Sequence, residues 1–100
     1  MKPSTSFNET SKEMLKDPEV AAMYLEEILA DGNMDLFKEA LKSVADARLG
    51  SMGALAESTN LKRESLYRAL SEKGNPRFDT LNKVLHAVGL RISVTPEAVL

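Results

Sequence analysis

Apolar positions recur along this chain at helical spacing in five separate stretches, each bounded by residues that start or stop helices. Ala21, Leu25, Ile28 and Leu29 fall at offsets of four, seven and eight, one face of a 3.6-residue period. Asp17-Pro18-Glu19 precedes them as a helix start, with a capping carboxylate, a proline at the first helical position and an acid in the first turn. Gly32 ends that element. Asn33 caps a second helix, in which Phe37, Ala40, Leu41 and Val44 share a face, and Leu49-Gly50 closes it.

Residues 51–71 pattern as two short helices joined by a tight turn. Ser51 caps a helix running to about Thr59, with Leu55 and Ala56 on its apolar face. Asn60 is the turn residue, because Asn tolerates the left-handed conformation that such a turn needs. Leu61, Leu66 and Leu70 are the apolar side of the next helix, expected from Arg63 to Ser71. Between the leucines lie Lys62, Arg63, Glu64, Ser65, Tyr67 and Arg68, a polar and mostly basic face. A helix with such a face, held across a partner helix, can enter a DNA major groove and read base edges.

Glu72 to Pro76 is a loop, since Gly, Asn and Pro punctuate it together. The fifth helix spans about Phe78 to Val88, with Leu81, Val84, Leu85 and Val88 at i, i+3, i+4 and i+7, and Gly89 stops it. Residues 90–94 alternate apolar and polar, which predicts a short strand that needs a pairing partner. Residues 1–16 carry scattered apolar positions (Phe7, Met14, Leu15) and are expected to form a flexible arm with one helical turn within 11–16. The expected organisation is thus an arm over 1–16 and one domain over 17–100. Within it, 17–50 are two leading helices, 51–71 the helix-turn-helix, and 78–95 the final helix and strand. The fold class is all-α.

Composition narrows the chemistry. One hundred residues, 43% of them hydrophobic and 28% charged, suit one folded domain. With five aromatics and no Trp the core is small, so dimerisation would add to its stability. The absence of cysteine excludes disulfides and thiolate metal sites and fits a reducing cytoplasm, the expected location. No apolar run approaches the roughly 20 residues that span a membrane, and the first residues lack a secretory signal's apolar core. The net charge of −2 hides an asymmetry: residues 1–60 hold six Lys/Arg against eleven Asp/Glu, whereas 61–100 hold seven against four. Local potential governs contact with phosphates, so an acidic half beside a basic half implies two surfaces with different partners. No phosphate-binding glycine loop, nucleophile elbow or ligand cluster is present, and His86 has no companion, so neither an enzyme, a cofactor nor a metal site is expected.

The runs Leu55-Ala56-Glu57, Asn60-Leu61 and Ser65-Leu66-Tyr67-Arg68 resemble the lambda-repressor-like (Xre/Cro) helix-turn-helix domain. So do Gly74 to Leu81 and Val84 to Leu90. The likeness is closest to the HigA-like addiction-module antidote branch, which places an Asp-Pro-Glu helix and a second helix ahead of the motif and carries a Leu-Tyr-Arg-Ala-Leu recognition helix. It covers about residues 15–95. Two positions depart from it. The usual turn glycine is Asn60, and the usual Ser/Thr cap of the recognition helix is Lys62, which cannot accept from helix N–H groups, a loss of roughly 1 kcal/mol.

The resemblance implies a five-helix fold in which Arg63, Glu64 and Arg68 contact bases, with Lys62 and Ser65 at the groove edge. An Arg can grip guanine O6 and N7 with two bonds, and a Glu can accept from cytosine N4. Tyr67 either joins that face or packs at the core edge. Ser51 is expected at a phosphate or as a structural cap alone, and Lys73, Asn75 and Arg77 along the DNA backbone. The implied activity is an autorepressing antitoxin that binds a pseudo-palindromic operator as a homodimer and neutralises a RelE/ParE-like toxin. The dimer surface is expected on the fifth helix and residues 90–95, and the toxin on the acidic half. A stand-alone Xre-type regulator without a toxin is the alternative, as is a helical protein-interaction module.

Overall fold

A computed structural model describes residues 11–98. Five helices follow one helical turn at 11–14: α1 (Pro18–Asp31), α2 (Met34–Leu49), α3 (Met52–Thr59), α4 (Arg63–Ala69) and α5 (Phe78–Ala87). The first three helices start at a side-chain cap. The Asp17 carboxylate accepts from the Glu19 amide at 2.9 Å, the Asn33 side chain from Leu36 at 3.0 Å, and Ser51 Oγ from Ala54 at 3.1 Å. These bonds satisfy amides that the first turn of a helix leaves free. Gly32 and Gly50 end α1 and α2 in the left-handed conformation, as that cap requires.

The helices pack as a branched chain: α1 on α2, α2 on α3, and α3 on both α4 and α5. The core gathers Ala21, Leu25 and Ile28 of α1, Phe37, Leu41 and Val44 of α2, and Leu55 of α3, and is closed by Leu66, Leu70, Val84 and Val88. Full burial of one such aliphatic side chain stabilises the fold by about 2 kcal/mol. The leucines expected on the inner side of α4 are therefore what hold it against α3.

Three details differ from the sequence expectation. Leu29 was expected in the core but is 51% exposed. α1 packs chiefly on α2, so a narrower stripe than the periodicity allowed is covered. No strand forms at 90–94: residues 90–98 have no regular secondary structure. All regular structure among the described residues is helical, so no extended edge is available to take a strand's hydrogen bonds. The Leu90 amide instead donates to the Leu85 carbonyl at 2.8 Å, closing the end of α5. Residues 1–10 of the expected arm lie outside the described residues. Residues 11–16 are packed onto the body, with Leu15 only 7% exposed and the Lys16 carbonyl accepting from Arg48 Nη1.

Candidate nucleic-acid interface

The candidate interface is built on the α3–α4 corner. Asn60 sits at φ 59, ψ 30, and its amide donates back to the carbonyls of Ala56 and Glu57. Leu61 N donates to Ala56 O at 3.1 Å. Thr59 is buried, and its hydroxyl is consumed by the Leu55 carbonyl at 2.8 Å. The turn is thus closed by its own backbone, and α4 leaves it at a fixed angle.

Leu66 and Leu70 are each 1% exposed, whereas Lys62, Arg63, Glu64, Ser65, Tyr67 and Arg68 are all exposed. The helix thus separates an inner apolar side from an outer polar one. Glu64 and Arg68 lie one turn apart, as do Arg63 and Tyr67, so the outer side is two adjacent rows. Tyr67, at 51% exposure, belongs to the outer face and not to the core edge. Arg63 is drawn toward α3: a Cβ at Gly53 would stand 2.5 Å from its Nη2. The close passage of the guanidinium across the first turn of α3 depends on that glycine. Lys62 makes no side-chain cap bond, as its chemistry dictates.

Ser51 is exposed and caps α3 through its oxygen, which leaves its hydroxyl proton free to donate outward. Lys73, Asn75 and Arg77 are exposed in the segment after α4. Arg77 Nε pairs with Asp79 Oδ1 at 3.3 Å, both side chains being largely exposed. The hydrogen bond from Arg77 holds the Asp79 carboxyl below the usual aspartate range; desolvation opposes it, and the same guanidinium's charge and the Thr80 amide add to the lowering. Residues 62–77 carry five cations, Lys62, Arg63, Arg68, Lys73 and Arg77, against Glu64 and Glu72.

Two cations of α2 that tie distant segments together were not singled out from the sequence, and one of them organises this region. Lys38 of α2 is buried, and its ammonium donates to the carbonyls of Ser71, Glu72 and Gly74 at 2.8, 3.0 and 2.6 Å. Asp35 Oδ1 lies 3.5 Å away. Its signal was its position: with Leu41 and Ala45 it falls on the inner stripe of α2, where a lysine needs several acceptors. Arg48, at the other end of α2, joins the carbonyls of Lys16 and Val88.

Away from this corner the charge reverses. Residues 17–37, which include all of α1, contain six carboxylates and no Lys or Arg. Met23, Tyr24 and Leu29 of α1 are exposed among them.

Over residues 5–96 the chain matches a family described as "Probable addiction module antidote protein". It belongs to that family. A protein of Haemophilus influenzae (strain KW20 / Rd) described as uncharacterized is 42% identical over 82 residues, 82% of each chain. No solved structure matches the chain. Membership in the antidote family implies a toxin as partner. Among the described residues of this antidote-family chain, no helix is long and apolar enough to cross a membrane.

Proposed function

We propose that this chain is a DNA-binding antitoxin that represses its own operon and neutralises a RelE/ParE-like toxin. The observation that carries the reading is the outer face of α4. Arg63, Glu64 and Arg68 are exposed on a helix whose other side is locked to α3 by Leu66 and Leu70, behind the left-handed Asn60. This is the arrangement by which a recognition helix meets a major groove, with Lys62, Ser65 and Tyr67 beside the base-reading pair of arginines. Ser51, Lys73, Asn75 and Arg77 are the phosphate contacts of the same reading, which fix register without reading sequence. The protein acts as a homodimer through α5 and residues 90–95, where Phe78, Ile92 and Val94 are exposed, on half-sites about one helical turn apart. The toxin docks on the outer side of α1, whose unrelieved acidic charge favours a basic partner.

A salt-titrated binding assay tests the DNA reading, using a duplex from upstream of the chain's own reading frame. Affinity should fall linearly with salt on logarithmic axes, and Arg63→Ala and Arg68→Ala should lose binding while stability stays within about 0.5 kcal/mol. Absence of wild-type binding at low salt overturns the reading and favours a protein-interaction module. Co-elution with the product of the adjoining reading frame, abolished by Glu26→Lys/Glu27→Lys, tests the toxin surface; without a complex, a stand-alone regulator remains.

A further inference from the structure

We propose that Lys38 is a positioning residue of the DNA interface, although it lies behind that interface and touches no ligand. The inference rests on the DNA-binding reading and adds to it the device that shapes its backbone-contacting loop. The Lys38 side chain is 3% exposed, and its ammonium gathers three carbonyls from four consecutive residues, those of Ser71, Glu72 and Gly74. Two of those carbonyls flank Lys73. Turning them inward leaves the Lys73 side chain outward, where it is exposed together with Asn75 and Arg77. An ammonium has three protons on a tetrahedral centre, so three inward carbonyls satisfy it and fix the path of the loop at the same time.

The loop is tied to α4 at its first residue, Ser71, whose amide and hydroxyl donate to the Arg68 carbonyl at 3.3 and 2.7 Å; beyond that residue Lys38 is its main anchor. The loop's own backbone closes one turn, Gly74 N to Ser71 O at 3.0 Å. Gly74 lies so close to the end of α4 that a Cβ there would stand 2.5 Å from the Ala69 carbonyl oxygen and closer still to that of Arg68. Backbone blocks that Cβ, so the glycine is required for the loop to reach Lys38 at all. The end of the reading helix, the loop's cations and a buried charge on α2 are thereby one unit. Loops that present cations to phosphates lose entropy on binding unless they are already ordered, and Lys38 removes that cost in the free protein.

The experiment measures binding of the upstream duplex across a salt series for wild type, Lys38→Met, Lys73→Ala/Arg77→Ala and the triple combination. Removing two cation–phosphate contacts makes the plot of log affinity against log salt shallower by about 1.8. Lys38→Met should show that same loss although it leaves both loop cations in place, and the triple variant should lose no more slope than the double. Should Lys38→Met fail to fold by circular dichroism, Gly74→Ala displaces the same loop from the same amine and should give the same shallowing. An unchanged slope in a folded Lys38→Met, or in Gly74→Ala where that variant must decide, overturns the inference while the DNA reading stands. A wild type that binds no duplex overturns the DNA reading itself. A merely structural lysine would lower the melting temperature and leave the slope alone.

Discussion

The Nε of Arg48 donates to the carbonyl of Val88, forty residues further along the chain, at 2.5 Å. Val88 ends α5, where carbonyls have no partner within the helix, so a guanidinium from α2 supplies what the helix cannot. A second nitrogen of the same group holds the Lys16 carbonyl. One side chain therefore ties α2 to the segment before α1 and to the close of α5. Hydrogen bonds from charged donors contribute more than neutral ones, so Arg48→Met should lower the unfolding free energy by about 2 kcal/mol, read from urea denaturation. A midpoint equal to wild type would show that water replaces the guanidinium without loss.

The contrast between Arg48 or Lys38 and the leucines explains how far the sequence could be read. Leu25, Leu41, Leu55, Leu66 and Val84 announced themselves by periodicity, and Asp17, Asn33, Ser51 and Asn60 by cap and turn chemistry, since these effects act within a few residues. The outer face of α4 followed from the same arithmetic. Bonds from Lys38 and Arg48 span 32 to 40 residues, and only the assembled fold says which carbonyls come within reach. The strand expected at 90–94 failed for a related reason. Alternation states that one side is apolar, but whether a second edge stands beside it is a property of the whole fold.

Asn60 is the one non-glycine residue with positive φ among the described residues. A Cβ in that conformation meets the following carbonyl, at a cost of about 1–2 kcal/mol, which Asn relieves by local hydrogen bonding and glycine avoids. Asn60→Ala should therefore destabilise the protein by about 1 kcal/mol, and Asn60→Gly should leave its thermal midpoint unchanged or raise it. A melt in which Ala and Gly behave alike would mean that the turn opens in solution.

Asp79 offers a pH signature for the segment after α4. Its carboxyl lies below the ordinary value of 3.8, chiefly because Arg77 donates to its ionised form. A depressed pKa in the folded state means that the contribution to stability is complete above the unfolded value and fades as pH falls through the folded one. Nuclear magnetic resonance titration of the Asp79 carboxyl should give a midpoint under 3.8, and Arg77→Ala should move it up toward that value. Saturating duplex should have the same effect as the substitution, because a phosphate that engages Arg77 competes with Asp79 for it. A midpoint that stays put with duplex present would remove Arg77 from the phosphate contacts.

On the proposed DNA reading, Lys62 stands where stability and binding pull in opposite directions. It is the N-cap residue of α4, with extended backbone suited to a capping side chain, yet it makes no cap bond. A serine there can accept from an amide of the first turn, and such a cap contributes about 1 kcal/mol. Lys62→Ser should accordingly raise the unfolding free energy by about that amount. It also deletes a cation that the proposed reading sets at the groove edge, so the salt dependence of duplex binding should become shallower by about 0.9, one phosphate contact. The two measurements separate the explanations for a lysine at this position. Greater stability with shallower salt dependence means that the cap was given up for contact with DNA. Greater stability with unchanged salt dependence means that Lys62 serves neither purpose, and the DNA footprint then begins at Arg63.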